Sequence, residues 1–561
     1  MKLNVCFVHP PSIYDFRKRE LRPGPISDVV PSTPVFEMYP IGFLSMLSSL
    51  TVNGLDATIC NTAVHMLASD RFDIRDFLRK IHSDIYALDL HWLPHAQGAY
   101  EISRIIRELH PNSKILLGGF SATYFRQEIM MEMPWVDYIL AGDLQEQPIV
   151  DLSNAVESGK AVTDVNNLVY RDAGKIRENR RSNSPEDLKK LFIDYEILAK
   201  NTLRHGDILG HMPYYGWLRN PEAFTLIEHG CQFNCGFCGG SNFAYSTNYG
   251  STSPMFRDPS RVAEEMELVQ DVIGSPVFIA GDLYAAGEKY YSKLFREIRE
   301  RKIDIPVLTE YFVPPPPDYL STLNSTIPEY SAEISPESSS ERIRREAGKT
   351  YTNHDLEKSI EAASKSGCRK FDAYFTIGLP HQTEKDVMDD VRYTESLDSR
   401  FNRNGMDMRS FISPLTPFLD PGSLYYEYSE KYGIKILARK FMDYYWLLER
   451  GKSWRDFLNY ETDTMSRADI EHATYTAGLM MIRKSARNGS ISEENARSIA
   501  ENIVSYTHGD TIPGKNNWGN HLTYLNKEIE WSTKHSVTGI SPLVFIYMAY
   551  DSIARMLRIR N

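Results

Sequence analysis

The chain has 561 residues, too many for one ordinary core, and at roughly 150 residues per domain it predicts about three or four domains. Its net charge of −11 argues against a nucleic-acid surface, because such a surface usually needs an excess of basic residues. No apolar run reaches the roughly 18 residues of a membrane span, since Asp551 interrupts the best candidate at 541–554. The N-terminal sequence lacks the features of a secretory leader, so a cytoplasmic protein is expected.

Residues 1–155 alternate short apolar runs with stretches of helical periodicity. The apolar runs predict strands at 3–8, 56–60, 85–90, 114–117 and 136–141. The periodic stretches predict helices at 41–50, 72–81 and 99–109. This alternation favours an α/β domain of the doubly wound, Rossmann-like type, with a parallel sheet covered on both faces.

A sheet of this kind binds ligands beyond the carboxyl ends of its strands. Glycines at these ends would let a ligand approach the backbone closely, although tight turns without a ligand explain the same residues equally well. The candidate ligand-contacting residues at the strand ends are Pro10, Pro11, Gly118, Gly119, Gly142 and Asp143.

Three of the six cysteines form a C-x3-C-x2-C pattern, at Cys231, Cys235 and Cys238. Three thiolates in one tight loop can hold three irons of a [4Fe–4S] cluster and leave the fourth iron open for catalysis. A structural zinc site normally has four ligands in paired hooks, and the sequence offers no second pair. The remaining cysteines lie far apart and are expected to be buried, inert thiols: Cys6, Cys60 and Cys368.

Residues 216–440 show a second alternation of strands and helices, which predicts a partial (β/α)6 barrel. The predicted strands are 224–227, 276–279, 305–309, 330–334, 371–376 and 406–412. The predicted helices are 261–272, 289–301, 355–366 and 384–397. Asp282, Glu310 and Glu337 stand at strand ends, either as ligand contacts or as turn caps.

Two further segments complete the predicted domain organisation. Residues 156–215 contain a hairpin pattern around 167–174 and are expected to form a connector that runs across the domain interface. Residues 441–561 are rich in aromatic residues and are expected to form a helical domain that closes the substrate pocket. Its helices are predicted at 441–448, 468–487, 492–505 and 543–557, with a lid or surface loop at 509–520.

The cysteine spacing after a strand, with Phe237 directly before Cys238, is identified as the signature of the radical S-adenosylmethionine (SAM) superfamily. The resemblance implies that the three cysteines bind the cluster and that the strand ends bind SAM. Ser335 stands where this superfamily usually has a glycine two residues before the glutamate. The residues with implied SAM contacts are Phe237, Gly281, Asp282, Ser335, Glu337, Gly378 and Leu379.

One basic stretch after the fourth predicted strand has two interpretations. Arg344, Arg345 and Lys349 resemble the Lys-Gly stretch that follows this strand in the superfamily, and a solvated helix face is equally consistent with them.

The N-terminal motifs resemble the cobalamin-binding domain that precedes many radical SAM cores. These motifs are Pro-Pro-Ser at 10–12, Pro-Ile-Gly-Phe-Leu at 40–44, LLGGFSAT at 116–123 and DYILAGD at 137–143. The Asp-x-His-x-x-Gly loop that supplies a histidine to cobalt in other cobalamin proteins is incomplete, because Pro94 replaces its glycine after Asp89 and His91. The resemblance therefore implies cobalamin without that histidine ligand, and His91 and His95 are expected to be loop or pocket-wall residues.

The resemblance as a whole implies a cobalamin-dependent radical SAM enzyme. The expected cofactors are a [4Fe–4S] cluster, SAM and cobalamin, and the expected partners are a small-molecule substrate and an electron donor such as flavodoxin or ferredoxin. C-methylation from methylcobalamin is the preferred reaction. The alternatives are a non-methylating ring formation, rearrangement or hydration, and a corrinoid-binding sensor with an idle cluster.

Overall fold

The computed structural model of the protein describes residues 3–21, 34–218, 221–250, 254–415, 417–487, 489 and 492–507. Its N-terminal part is built on a seven-stranded sheet with the strand order β2-β1-β3-β4-β5-β6-β7. The strands are β1 (Asn4–His9), β2 (Asp56–Asn61), β3 (Ile85–Asp89), β4 (Lys114–Gly118), β5 (Tyr138–Leu140), β6 (Leu168–Asp172) and β7 (Lys175–Glu178). The first five strands pair in parallel, as predicted.

Helices cover both faces of this sheet, because its central strands are apolar on both sides. β1 and β3 are buried almost throughout, and their alternate side chains enter two separate hydrophobic clusters. The doubly wound α/β prediction is confirmed. The helices are Gly42–Val52, Thr62–Ala68, Ile74–Lys80, Ala96–Leu109, Phe120–Tyr124, Arg126–Glu132 and Glu146–Ser158, with 3-10 turns at Phe16–Lys18 and Leu93–His95.

The hairpin β6–β7 extends the N-terminal sheet. β6 pairs antiparallel with β5, so that Ile139 lies opposite Val169, and this pairing covers the edge that β5 would otherwise expose. The sheet therefore continues beyond residue 155, and only the later part of the 156–215 segment connects the domains. That part carries the helices Pro185–Leu188, Tyr195–His205 and Ile208–His211.

The central part forms a parallel six-stranded sheet with the order β15-β14-β13-β12-β11-β8, curved but open between β8 and β15 in the part of the chain described. All six predicted strands are present. They are β8 (Ala223–Leu226), β11 (Val277–Ala280), β12 (Val307–Tyr311), β13 (Tyr330–Glu337), β14 (Lys370–Ile377) and β15 (Asp407–Pro414), and a short antiparallel pair, β9 (Glu228–His229) and β10 (Met255–Phe256), lies beside them.

The helices of this part follow its strands, as in other β/α barrels. The four long helices that the sequence predicts are all present. The helices are Asn242–Ala244, Tyr245–Tyr249 (a π-helical turn), Pro259–Val272, Glu288–Glu300, Pro317–Thr326, Glu341–Glu346, Asn353–Lys365 and Glu384–Phe401.

The C-terminal part packs on both preceding parts. The ring of Tyr445 packs at a tilt against that of Tyr100, with ring centroids 4.6 Å apart, and Tyr445 donates a 2.8 Å hydrogen bond to Glu101. The predicted helix at 543–557, the loop at 509–520, Trp518 and Trp531 lie outside the described residues. The elements described are the helices Leu424–Glu427, Ser429–Tyr432, Phe441–Arg450, Trp454–Phe457, Arg467–Arg487 and Glu493–Thr507 and the strand pair β16 (Ile434–Ile436) and β17 (Tyr460–Thr462). Among the described helices, none combines the length and the apolar character that crossing a membrane requires.

A buried ion pair joins the connector to the barrel. Arg257 donates to Glu265 at 3.0 Å and to the Leu226 carbonyl at 2.8 Å, and Glu265 accepts the backbone N–H of Ile193 at 2.8 Å. Arg257 is 3% and Glu265 0% exposed, so neither charge is solvated by water. The pair therefore satisfies groups from β8, the connector and the helix Pro259–Val272 at once.

We expect Glu265→Ala to lower stability by about 3–5 kcal/mol, because it leaves Arg257 charged, buried and unpaired. The neighbouring Glu264→Ala is the matched control, since Glu264 pairs with Arg261 at the surface, where such pairs contribute about 0–1 kcal/mol. Urea denaturation followed by circular dichroism measures both variants. Equal shifts of the midpoint would contradict the structural role of Glu265.

Candidate active site

The three predicted cluster cysteines lie on one loop that follows β9. All three are free thiols and are half-buried. The backbone N–H of Phe233 points at the sulfur of Cys231 at 3.4 Å, and that of Gly240 points at the sulfur of Cys238 at 3.3 Å. The loop therefore presents sulfur ligands whose negative charge backbone donors would stabilise.

The loop is held from outside by backbone contacts. Gly236 donates to the Ala347 carbonyl at 3.1 Å and accepts from the Tyr425 N–H at 2.8 Å. Gly348 adopts φ +97°, and a Cβ there would lie 2.4 Å from the carbonyl oxygen of Asn234. The close approach of this turn requires glycine.

Burial shifts the thiols toward their neutral form. It raises the pKa of Cys231 to about 12 and raises the pKa values of Cys235 and Cys238 as well, while the nearby Lys349 ammonium partly offsets the effect at Cys235. Iron binding would therefore release protons from these thiols. Among the described residues no fourth cysteine belongs to this loop, and a set of three such thiols fits a cluster with one open iron.

The strand ends next to this loop carry buried acids, and two of them already have structural partners. Asp282 accepts the N–H groups of Ala285 at 2.9 Å and Phe312 at 2.7 Å, and burial raises its pKa to about 6. Gly281, beside it, adopts φ +108° because a Cβ would lie 2.6 Å from Ile227. Asp282 thus caps the turns after β11 and β12.

Glu337 is the second partnered acid. It forms a buried 2.8 Å ion pair with Lys349 and accepts from Thr376 at 2.6 Å. Lys349 also donates to the carbonyl of Ser335, whose side chain is half-buried at the bulged end of β13. Because these groups form hydrogen bonds with one another, Lys349 and Glu337 hold the end of β13 in place beside the cluster loop.

The basic stretch after β13 divides between the core and the surface. Arg344 is fully buried and donates to the carbonyls of Pro336 at 3.2 Å and Ser338 at 2.7 Å. Lys349 is also buried, whereas Arg345 is exposed. The interpretation as a solvated helix face therefore holds for Arg345 alone.

Gly378 and Leu379 form the turn after β14. Their N–H groups donate to the side-chain oxygen of Gln382 at 2.8 and 3.2 Å. Gly378 adopts φ +92°, and its carbonyl accepts from the Tyr460 hydroxyl at 3.1 Å, a position where a Cβ would collide with that hydroxyl. Tyr460 therefore connects the C-terminal part of the chain to the end of β14. Phe237, the remaining candidate for SAM contact, is half-buried in the cluster loop.

Two further acids at the strand ends, Glu228 and Glu310, have raised pKa values. Burial raises the pKa of Glu228 and of Glu310 to about 7, and the Asp282 charge adds to the effect at both. Glu310 accepts the Gly281 N–H, and the second carboxyl oxygen of Glu228 is buried without a hydrogen-bond partner. The sequence analysis did not single out Glu228, although its position three residues before Cys231 could have done so.

A cavity of about 310 Å³ lies between the N-terminal sheet and the segment that leads into the cluster loop. Four of the predicted strand-end residues line it: Gly118, Gly119, Gly142 and Asp143. Pro10 and Pro11 are not among its lining residues, and the carbonyl of Pro11 lies against Gly98 instead. The cavity's apolar walls include Phe7, Ile41, Phe43, Met46, Leu116 and Ile149.

Several polar atoms on this cavity's walls are buried without a hydrogen-bond partner. They belong to Gln145, Glu146, Glu228 and His229, of which the sequence analysis singled out none. His229 uses its other nitrogen to bond Asp143 at 2.6 Å, so the hydrogen bond crosses from the barrel to the N-terminal sheet. Buried polar groups in folded proteins are almost always paired, so these atoms offer hydrogen bonds to a polar ligand or to water.

The two histidines after β3 differ in position. His91 lines the cavity and stacks on Phe120 at 4.5 Å, and burial lowers its pKa, so its ring is neutral at pH 7. His95 is fully buried outside the cavity lining. Of the described residues in 441–507, none lines the cavity, so closure of this pocket by the C-terminal helices stays a prediction.

Residues 226–394 match the sequence profile of the radical SAM superfamily. The chain carries a radical SAM domain. An uncharacterized methyltransferase of Pyrococcus horikoshii is 22% identical over 399 residues, which cover 70% of this chain and 78% of that protein. An anaerobic magnesium-protoporphyrin IX monomethyl ester cyclase of Rubrivivax gelatinosus is 27% identical over 183 residues, 32% of this chain and 30% of the cyclase.

Solved structures share the whole arrangement. The radical SAM methyltransferase TsrM of Kitasatospora setae, with cobalamin and a [4Fe–4S] cluster bound, aligns with a TM-score of 0.57 at 13% identity over 91% of this chain and all of that one. The cobalamin-dependent radical SAM enzyme OxsB, with aqua-cobalamin and SAM bound, aligns with a TM-score of 0.58 at 12% identity over 98% of this chain and 84% of that one. The likeness confirms the predicted fold.

We expect Gly348→Ala to reduce iron loading in anaerobic reconstitution, because the added methyl group would push on Asn234 and displace the cluster loop. The strained φ and the overpacking together should cost about 2–5 kcal/mol. Gly405→Ala is the matched control, since Gly405 also has a positive φ, +81°, but open space around its Cβ position. Iron analysis that gives the same content for both variants would contradict this role of Gly348.

Proposed function

We propose that this radical SAM enzyme is cobalamin-dependent and transfers a methyl group to an unactivated carbon of a small metabolite. The observation that carries the proposal is the cavity wall shared by two ligand-binding edges. Strand ends of the N-terminal sheet form one side, and Glu228, His229 and Gly230, which lead directly into Cys231, form the other. One small molecule could meet both edges.

The residues present fit the proposed cofactors. Cys231, Cys235 and Cys238 would hold a [4Fe–4S] cluster. Glu228 would accept a hydrogen bond from the amino group of SAM, because one of its carboxyl oxygens has no partner, whereas Glu310, Asp282 and Glu337 already have partners. When bound, the cluster supplies the electron that cleaves SAM to methionine and a 5′-deoxyadenosyl radical, and methylcobalamin supplies the methyl group. An outside reductant such as flavodoxin or ferredoxin would have to return that electron.

The N-terminal cavity fits part of a large amphipathic cofactor. Its apolar walls would take a nonpolar ring, while Gln145, Glu146 and His229 offer hydrogen bonds to amides or phosphate at the rim. Gly118 allows a flat ligand to approach the sheet edge, whereas the missing side chain of Gly119 makes room for the backbone of His91. TsrM and OxsB, whose fold this chain shares, were solved with cobalamin bound.

A second function, ring formation without methyl transfer, is favoured by one observation. The relatives include anaerobic magnesium-protoporphyrin IX monomethyl ester cyclases, whose aligned part covers about a third of the Rubrivivax protein. Both reactions require the same radical, so the cavity walls alone do not separate them. The products do.

The decisive experiment uses anaerobically reconstituted full-length protein with SAM, methylcobalamin and dithionite. We expect wild type to release 5′-deoxyadenosine and Cys235→Ala to release none, measured by liquid chromatography and mass spectrometry. With hydroxocobalamin and titanium(III) citrate in place of methylcobalamin and dithionite, S-adenosylhomocysteine formed as cob(I)alamin takes the methyl group of SAM would support methyl transfer. A wild type that holds four irons and binds SAM but cleaves none would instead support the corrinoid sensor.

We expect Met46→Trp to weaken cobalamin binding at least tenfold, because the larger side chain fills the apolar end of the cavity. Val52→Trp is the matched control on the same helix, Gly42–Val52, since Val52 is 74% exposed and lies outside the cavity lining. Equilibrium binding measured by the cobalamin absorbance tests both, and the iron content should stay unchanged. Undiminished binding by Met46→Trp would place cobalamin elsewhere.

We expect cob(II)alamin bound to this protein to lack imidazole coordination, because Pro94 breaks the loop that would present His91 to cobalt. Electron paramagnetic resonance should show no nitrogen superhyperfine splitting from an imidazole, and His91→Ala should leave the spectrum as it is. Splitting that disappears in His91→Ala would make His91 a cobalt ligand.

A further inference from the structure

Three metal-ligating groups converge in the N-terminal domain away from the cluster loop. His9 ends β1, Asp89 ends β3, and His95 ends the 3-10 turn Leu93–His95. They are 0%, 2% and 0% exposed. One side-chain nitrogen or oxygen from each lies within 4.8 Å of the others.

The chain positions these residues by simple local rules. β1 and β3 pair in parallel with Val8 beside Leu88, so His9 and Asp89 follow side by side at the sheet edge. Pro94 stands in the first turn of the short helix that brings His95 beneath Asp89. Pro94, which breaks the cobalamin-type loop, therefore also positions His95 in this group of metal-ligating residues.

The hydrogen bonds fix how the two imidazoles are oriented. The Nε2 atoms of His9 and His95 lie 3.0 and 2.9 Å from one acceptor, the carbonyl oxygen of Phe36. A carbonyl only accepts, so both Nε2 atoms must carry hydrogen, and both Nδ1 atoms face Asp89. Phe36 itself adopts φ +40°, an unusual conformation that aims this carbonyl at both rings.

This orientation brings the Nδ1 atoms of both imidazoles close to one carboxylate oxygen. The Nδ1 atoms of His9 and His95 lie 2.8 and 3.8 Å from the same oxygen, Oδ2 of Asp89. The Nδ1 atom of His95 is buried without a hydrogen-bond partner. Both Nδ1 atoms and the Asp89 carboxylate are therefore available to a shared ligand.

We propose that His9, Asp89 and His95 form a binding site for a divalent transition-metal ion, with zinc as the first probe. Two imidazole nitrogens and a carboxylate oxygen are a common ligand set for such ions. Metal-bound histidines usually donate their other N–H to a carbonyl or carboxylate, as both rings do here to Phe36. Ligands about 2.1 Å from one ion lie roughly 3–4 Å apart, so the present spacings need only a small adjustment.

The test uses the full-length holoprotein, in which the cluster already occupies Cys231, Cys235 and Cys238. After incubation with zinc and gel filtration, we expect about one zinc per chain in wild type and at least a tenfold weaker affinity in His95→Ala and His95→Gln. The glutamine keeps a donor for Phe36 and removes the Nδ1 ligand, which guards against a folding defect.

His110→Gln is the matched control, because His110 is also buried and bonds a carbonyl, that of Leu78, at 2.8 Å. It should bind zinc like wild type. Zinc-edge X-ray absorption should show nitrogen and oxygen neighbours only. Wild type that binds no more zinc than His95→Gln, or a spectrum with sulfur neighbours, would overturn the proposal.

Discussion

The hydrogen bond between His229 and Asp143 joins the carboxyl edges of two parallel sheets. Each edge is the side on which its own architecture binds ligands, so their joining turns two separate ligand edges into the walls of one cavity. The buried Arg257–Glu265 pair fixes the same joint from the connector side. Because both charges of that pair are desolvated and mutually satisfied, the connector is held against the barrel.

Most polar groups around the cluster loop hold the loop in place and are not free for ligands. Asp282, Glu337 and Lys349 each have internal partners, and the turn at Gly348 fits directly against the loop backbone. Rigid positioning of this kind lets three thiols face one space before any iron arrives. Glu228 is the acid that can still accept a hydrogen bond from a ligand, because one of its buried carboxyl oxygens has no hydrogen-bond partner.

The sequence predicted the architecture well because the strands and helices have strong periodicity. All six barrel strands, the five parallel N-terminal strands and the cysteine loop lie where expected. It left open whether Asp282 contacts a ligand or caps a turn, since this depends on where the N–H of Phe312 falls in space. The pairing of β6 with β5 and the contact of Tyr460 with Gly378 likewise depend on long-range packing that no local pattern encodes.

The unpartnered groups imply that stability is linked to ligand binding. An unsatisfied buried polar group costs about 1–3 kcal/mol, and the cavity wall carries such groups on Gln145, Glu146, Glu228 and His229. A bound ligand that offers partners to these atoms would relieve that cost. A ligand that binds only the folded state stabilises it in proportion to the logarithm of its concentration. Ligand binding in this cavity would therefore stabilise the packing of the two sheets, because the same residues form the interface and the cavity wall.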